Sequence, residues 1–231
     1  MINNNLKDLE NIIGYRFKQT KLLTQALVHR SYLNESKNRN ISSNERLEFL
    51  GDTVLGFIVS EWLYEDFPNF PEGILTNLRS ALVKTESLAK IAQKLELGKY
   101  LLLSRGEIDS GGQQNPSLLA NCLEAIIGAI FLDRNLAAVK LFIKPHLKPI
   151  LDKLLKAGEL KDGKSLLQER LQAKRKVTPV YKTLKEEGPD HLKIFTIGVF
   201  ANNEQIASAV GKNKQEAEEA AAQLALEKLN I

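Results

Sequence analysis

The stretch Asn44-Glu-Arg-Leu-Glu-Phe-Leu-Gly-Asp-Thr-Val-Leu55 carries three carboxylates in an otherwise apolar helical pattern. Glu45, Glu48 and Asp52 are spaced i, i+3 and i+7, so on an α-helix they lie along one face. That face soon becomes apolar, and a charge in apolar surroundings costs free energy unless it has a partner. The stretch therefore predicts a helix whose acidic row is not simply a solvated surface.

A second apolar run, Leu118-Leu-Ala-Asn-Cys-Leu-Glu-Ala-Ile-Ile-Gly-Ala-Ile-Phe-Leu132, contains a matching irregularity. Its polar Asn121 and charged Glu124 are three residues apart and share a helix face. An ionised glutamate there is costly unless a positive group meets it, and the run contains no Lys or Arg. A metal ion shared by the two helices would explain both irregularities; a buried polar network joining the helices is the alternative.

The composition is that of an ordinary globular protein of one large or two modest domains, with 43% apolar and 26% charged residues among 231. A net charge of +4 with a pI near 9.0 permits a nucleic-acid partner but does not require one. We expect no membrane association, because Asn121 and Glu124 interrupt the longest apolar run, and the N-terminus lacks signal-peptide order. A cytoplasmic location is the default expectation. The single cysteine, Cys122, excludes an intrachain disulfide and is expected to be buried and inert.

Apolar spacing is helical nearly throughout from Leu6 to about Lys156, which predicts an all-α domain. The carboxylate helix is expected to run to about Tyr64, where the prolines of the next segment end it. Asn115 and Pro116 predict another helix start, with Asn as N-cap and Pro in the first turn. The other predicted elements of this part are helices over 74–84 and 85–95 and a loop over 104–112.

The periodicity changes after a charged, glycine-containing segment, 157–163, which we interpret as a linker. Beyond it, three runs of near-alternating β-branched and aromatic residues predict strands, the last two joined across Asn202-Asn203. Asn213 and Glu216 match a capping pair at the start of the last helix. The predicted order is helix 165–174, strands 178–185, 191–200 and 205–210, and helix 214–229. The fold class is therefore mainly α: an all-α domain over 1–156 and a small α-β-β-β-α domain over 164–231.

The motif at 44–52 resembles the signature of bacterial ribonuclease III, and other segments occur in that family's order and spacing. In the first domain these are 29–31 (His-Arg-Ser), 70–76, 110–112 and 124–129. The tail resembles the family's double-stranded RNA-binding domain at 167–169, 188–191 and 216–218. The resemblance implies a metal-dependent endonuclease that cuts both strands of duplex RNA, leaves 5′-phosphates and short 3′ overhangs, and processes precursors such as ribosomal RNA.

The resemblance also implies a metal site. In the family's pattern the ligands correspond to Glu48, Asp52, position 121 and Glu124, and they imply Mg²⁺, with Mn²⁺ able to substitute and no other small-molecule cofactor. The family usually has Asp at position 121, where this chain has Asn121. An amide oxygen still binds a hard cation, but the lost negative charge predicts weaker Mg²⁺ binding.

Glu45, a candidate catalytic residue with Glu48, Asp52 and Glu124, lies about 10 Å from Asp52 along the helix axis, too far to share its ion. It is expected to orient substrate or to support the metal ligands from outside. Alternatively, Ser42-Ser-Asn-Glu45 is a capping box, and Glu45 only closes the helix start. Two glycines of the same helix, Gly51 and Gly56, are interpreted as sites of close helix packing.

One catalytic motif per chain predicts a homodimer whose two sites face opposite RNA strands. Glu72, in a Pro-Glu-Gly turn, resembles a family position near the substrate groove; a solvated turn residue is the alternative.

Duplex RNA is bound through its shape and phosphates, because its major groove is too narrow to read. By resemblance, Gln168 and Gln172 reach one minor groove, and the loop containing His191 reaches the next. Lys212 and Lys214 flank the start of the last helix, where the dipole and free N–H groups favour phosphate. The family commonly has Ser and Lys where this chain has Asn213 and Gln215, and each lost phosphate contact lowers the affinity.

Two further hypotheses stay open at this point. One is a double-stranded RNA-binding protein whose catalysis is weakened by Asn121. The other is a ribosome-associated structural protein built on the same two domains. Metal-dependent cleavage of RNA distinguishes the nuclease from both.

Overall fold

The structure, a computed structural model, describes residues 3–36, 41–157, 163–189 and 193–229. It divides into two compact units, Met1–Ala157 and Gly158–Ile231, here called the helical unit and the sheet unit. Most of the interpreted linker, residues 158–162, lies outside the described residues, and the domain bounds stay a prediction.

The described part of the helical unit consists of α-helices joined by short connections, with 3₁₀ turns at Leu97–Lys99 and Gly112–Gln114. The all-α prediction for this unit is confirmed. The helices are α1 (Asn3–Ile13), α2 (Thr20–Ala26), α3 (Arg30–Leu33), α4 (Glu45–Asp66), α5 (Glu72–Val83), α6 (Thr85–Lys94), α7 (Arg105–Asp109), α8 (Pro116–Asp133) and α9 (Leu136–Ala157).

Helix α8 is the centre of the helical unit. It starts as predicted, because the Asn115 side chain accepts hydrogen bonds from the N–H groups of Ser117 and Leu118 and Pro116 occupies the first turn. Helices α2, α4 and α6 pack around it. Among the described residues, α8 is the one helix long and apolar enough to cross a membrane, but most of it is buried inside this unit. Its apolar character therefore reflects a core position.

Helix α4 begins at Glu45 because tertiary bonds hold the residue before it. The buried Asn44 donates its backbone N–H to the Val28 carbonyl at 2.8 Å and its side-chain amide to the Ala26 carbonyl at 3.3 Å. The capping-box interpretation of Glu45 is wrong: Ser42 lies outside the helix, and Glu45 is the first helical residue. The helix ends at Asp66, just before the proline-containing segment, as predicted.

Helices α4 and α8 meet backbone to backbone at two glycines. A Cβ on Gly51 would overlap the Glu124 carbonyl and lie 3.0 Å from the Gly128 nitrogen, and a Cβ on Gly128 would overlap the Leu47 carbonyl. The packing prediction is thus confirmed for Gly51. It is wrong for Gly56, where a Cβ would meet nothing within 4 Å.

Two predicted irregular segments are helical. The predicted loop over 104–112 contains α7, because the Ser104 hydroxyl accepts a hydrogen bond from the Glu107 N–H at 3.3 Å and caps a short helix. Glu72 is the first residue of α5 rather than a turn residue, and Pro71 before it occupies the N-cap position. Both corrections concern the first residue of a helix, which is determined locally by a capping side chain in one case and by a proline in the other.

The sheet unit has the predicted α-β-β-β-α order. Its elements are α10 (Gly163–Arg175), β1 (Val180–Glu187), β2 (Ile194–Ala201), β3 (Glu204–Gly211) and α11 (Lys214–Leu229). The strands form an antiparallel sheet in the order β1-β2-β3. Asn202 and Asn203, both at positive φ, make the two-residue turn between β2 and β3. The core joins the helices to the inner sheet face through Leu167, Leu171, Val199, Ala221 and Ala225.

We predict that Gly51→Ala destabilises the helical unit by about 3 kcal/mol, because the new methyl group must force α4 and α8 apart. The matched control is Gly56→Ala in the same helix, which has open space and should gain up to about 1 kcal/mol from helix propensity. Urea unfolding followed by circular dichroism measures both. Equal stabilities of the two variants would contradict the packing role of Gly51.

Candidate active site

A cavity of about 710 Å³ lies where α4 and α8 face each other. Five polar side chains from α4 and α8 are among its lining residues: Glu45, Glu48, Asp52, Asn121 and Glu124. The structure thus brings every predicted metal ligand, and Glu45, to one cavity. The roles of these residues stay a prediction at this point.

The glycine contact explains why the two acidic rows face each other. The Glu124 backbone rests against Gly51, which directly precedes Asp52 and follows Glu48 by three residues. Side chains from both helices therefore start from backbones in direct contact. A larger residue at position 51 would move the two rows apart.

The cavity concentrates negative charge. The pKa of Glu124 is raised from its ordinary 4.5 to about 7, first by burial and then by the charges of Asp52 and Glu48. The pKa of Glu48 is also raised, by burial and then by the charges of Glu45 and Asp52. The neighbouring carboxylates therefore oppose ionisation of Glu48 and Glu124. A cation with a preference for oxygen ligands would relieve this repulsion, so the donor set fits a hard divalent metal.

The carboxylates share the cavity without converging. In the described ranges, no three His, Cys, Asp or Glu side chains come close enough together to form a metal-binding group. Like charges repel at short range in surroundings of low dielectric constant, and this repulsion opposes convergence of the free carboxylates.

Glu45 lies at the rim of the cavity with basic neighbours. Its Oε1 is 3.8 Å from Arg30 Nη1, and its Oε2 accepts a hydrogen bond from the Ser43 hydroxyl at 2.8 Å. His29 and Arg30 also line the cavity. Sequence reasoning quoted both residues only as part of a motif and gave them no role. The only sequence signal was the His29-Arg30 pair itself, which ends 15 residues before Glu45, and such a pair predicts no site unless the loop that meets α4 is known.

Glu72 and Cys122 lie outside the cavity lining. Glu72 is exposed, and its Oε1 accepts a hydrogen bond from the Thr76 hydroxyl at 2.8 Å. Cys122 is fully buried, and burial raises the pKa of its thiol to about 12. A thiol with that pKa is protonated at neutral pH, as expected for an inert cysteine.

The predicted RNA-binding residues of the sheet unit are exposed where the structure describes them. Gln168 and Gln172 lie one turn apart on α10. Lys212 precedes α11, and Lys214 begins it, with its Nζ 3.0 Å from Glu186 Oε1. The predicted capping pair at this helix is confirmed, because Asn213 Oδ1 accepts the Glu216 N–H at 2.8 Å. His191 lies outside the described residues.

Comparison with known proteins matches both units. The family model described as Ribonuclease-III-like matches residues 19–151, and the double-stranded RNA binding motif matches residues 164–229. A protein named Ribonuclease 3 from Syntrophobacter fumaroxidans is 47% identical over 227 residues, which cover 96% of this chain and 93% of that protein. Two solved structures of the ribonuclease III nuclease domain from Campylobacter jejuni are each 42% identical to this chain, with TM-scores of 0.57.

The first of these structures covers 63% of this chain and 95% of its own. The second covers 61% of this chain and 94% of its own, and its description concerns structural flexibility in a region involved in dimer formation.

We predict that, without metal, Glu124 lowers the free energy of unfolding as pH rises from about 5 to about 8. The folded protein keeps a proton on Glu124 up to a pKa of about 7, whereas the unfolded chain releases it near 4.5, so rising pH favours unfolding. Glu124→Gln should flatten this dependence and be the more stable protein at the alkaline end. Urea unfolding in EDTA measures the free energy of unfolding at each pH. Parallel pH profiles for the two proteins would show that ionisation of Glu124 does not destabilise the fold.

Proposed function

From the premise that this chain belongs to the ribonuclease III family and is an endoribonuclease of double-stranded RNA, we propose that it cuts both strands with a metal-activated water. The products would carry 5′-phosphates and short 3′ overhangs. The observation that supports this most strongly is the acidic cavity between α4 and α8, where burial and neighbouring carboxylates raise the pKa of Glu124 to about 7. The comparisons do not support the alternative of a catalytically weakened RNA-binding protein.

The ribonuclease III family is generally dependent on divalent metal. We infer Mg²⁺, with Mn²⁺ able to substitute, held by Glu48, Asp52, Asn121 and Glu124, because all four offer oxygen atoms to one cavity. When bound, such an ion lowers the pKa of a coordinated water and neutralises charge on the phosphate under attack.

The residues of the chain divide the remaining work. Glu48 and Asp52, four residues apart on α4, bind from one side of the cavity, and Glu124 binds from α8 on the other. Glu124 must lose its proton to bind a cation, so cation binding and deprotonation are linked at near-neutral pH. Asn121 contributes a neutral oxygen, which leaves the site one negative charge short of the family pattern.

We predict discrete cuts on both strands when the purified chain is incubated with a labelled RNA hairpin across a Mg²⁺ titration. Asn121→Asp should move the Mg²⁺ midpoint to lower concentration, because it adds an anionic ligand. Glu124→Gln should abolish cleavage while leaving RNA affinity within about twofold of the unmodified chain. Denaturing gels resolve the products, and binding is measured in parallel in EDTA.

Undiminished turnover by Glu124→Gln would remove that residue from the site. Tight RNA binding without cuts at any Mg²⁺ or Mn²⁺ concentration would contradict the proposed mechanism. Stable co-sedimentation with ribosomes in the absence of nuclease activity would instead favour the structural-protein hypothesis.

We further propose that two chains act together, because the chain carries one carboxylate cavity among its described residues and a duplex has two strands. Phe49 on α4 is 78% exposed. It lies beside a second, mainly apolar pocket of about 610 Å³, lined also by Leu22, Leu47, Leu50 and Leu132. An exposed aromatic next to an apolar pocket on the same face suits a two-fold interface, in which each Phe49 enters the partner's pocket.

We predict that Leu132→Glu, which places a charge in this pocket, weakens dimerisation at least about tenfold. Leu141→Glu is the matched control, because Leu141 is 80% exposed but does not line the pocket, and it should leave the dimer intact. Sedimentation equilibrium measures both. A stable, active monomer of the unmodified chain would reject the two-chain arrangement.

In the sheet unit, we infer that Gln168 and Gln172 contact one minor groove and the loop containing His191 contacts the next. Lys212 and Lys214 would bind phosphate at the start of α11, where the positive end of the helix dipole adds to their charge. The ion pair between Lys214 and Glu186 must then open or shift when RNA binds. We propose cytoplasmic precursors with duplex segments, such as ribosomal RNA, as the substrates.

A further inference from the structure

The carboxylate cavity has a basic rim that the mechanism above does not use. Of its lining residues in the described part of the chain, Arg30 is the one Lys or Arg. We propose that Arg30 is a phosphate-binding residue of the cleavage site and that Glu45 positions its guanidinium group. This proposal rests on the nuclease function proposed above.

The backbone at Arg30 is fixed beside the start of α4. The His29 N–H donates to the Leu102 carbonyl at 3.1 Å, and Asn44, which immediately precedes α4, donates its N–H to the Val28 carbonyl at 2.8 Å. Val28 and Leu102 form a parallel bridge. The residues that flank Arg30 on its N-terminal side are therefore tied both to α4 and to the segment before α7.

The C-terminal side of Arg30 is anchored as well. The Ser31 hydroxyl accepts the Ser104 N–H at 3.0 Å and lies 2.9 Å from His29 Nδ1, and that ring nitrogen accepts the Ser31 N–H at 3.3 Å. The short helix α3 thus starts from a side-chain network rather than from a free loop. Hydrogen bonds on both sides of Arg30 therefore hold its backbone in place beside the cavity.

The Arg30 side chain itself is open to solvent, being 74% exposed, and touches Glu45 at 3.8 Å. An exposed ion pair at that distance contributes little to stability. Glu45 Oε1 points toward Arg30, and Glu45 Oε2 accepts a hydrogen bond from the Ser43 hydroxyl. Both oxygens of the carboxylate therefore have a neighbour that orients them. Only one guanidinium nitrogen approaches Glu45, at 3.8 Å, so the planar group still presents several N–H donors in a geometry that matches phosphate.

A phosphate-binding group at this position solves an electrostatic problem. RNA is a polyanion, and it must approach a cavity that contains several carboxylates. Arg30 lies beside Glu45, at the end of the acidic row that is about 10 Å along the helix axis from Asp52. It therefore binds a phosphate next along the strand rather than the one that is cut, and so sets the position of the strand over the cavity.

The test compares Arg30→Gln and Arg30→Lys with Arg134→Gln, an exposed arginine of the same unit outside the cavity lining. Affinity for an RNA hairpin is measured in EDTA at several salt concentrations, and cleavage is measured in Mg²⁺ under single-turnover conditions. Arg30→Gln should reduce the slope of log affinity against log salt by about one and slow cleavage about 10- to 100-fold. Arg30→Lys should retain the slope but recover only part of the rate, because it lacks the planar fork.

Glu45→Gln tests the positioning role. It should slow cleavage in the unmodified chain but have little additional effect in the Arg30→Gln background, because both changes remove one interaction. Fully additive effects would overturn the role of Glu45. A salt slope and rate for Arg30→Gln equal to those of Arg134→Gln, with similar melting temperatures, would overturn the role of Arg30. A failure of the proposed nuclease function is distinguishable, since the unmodified chain would then not cut, while the salt slope would still report on Arg30.

Discussion

The direct backbone contact between α4 and α8 is the constraint on which the rest of the helical unit depends. Gly51 and Gly128 remove the side chains that would otherwise separate the two helices. Close packing of this kind tolerates no added volume, because protein interiors are already as dense as organic crystals. The same contact buries the apolar residues of α8 and sets its acidic residue opposite those of α4. Stability and the candidate active site thus share one interface.

That shared interface creates a conflict between folding and function. The packing that stabilises the unit also forces carboxylates into a common, partly buried cavity, where burial first and then the neighbouring charges raise the pKa of Glu48 and Glu124. A neutral Asn121 reduces this repulsion by one charge and should favour the metal-free fold. The same substitution weakens attraction for a cation. In the proposed metal site, Asn121 would therefore favour the stability of the metal-free protein over tight cation binding.

The two units differ in the kind of side chains that they offer to RNA. The helical unit concentrates negative charge in its cavity, which opposes the approach of a phosphate unless positive charge offsets it. The sheet unit has exposed glutamines and lysines on α10 and around the start of α11, which suit shape and phosphate contacts. Covalent linkage of the units means that binding by one raises the effective concentration of the other at the same duplex. Affinity for the substrate and chemistry on it can therefore be supplied by different residues.

The sequence by itself determined the fold class, the α-β-β-β-α order of the second unit and the identity of the acidic residues. Helical and alternating periodicities are local properties, and carboxylates in apolar runs are visible without coordinates. Tertiary structure alone decided three other features. Helix α4 starts at Glu45 because Asn44 bonds to Ala26 and Val28, which are distant in sequence. Gly51 packs against α8 whereas Gly56 faces open space, although both are glycines of one helix. Arg30 reaches the cavity rim because hydrogen bonds tie its loop to α4 and Leu102, and such long-range contacts leave no periodic trace in the chain.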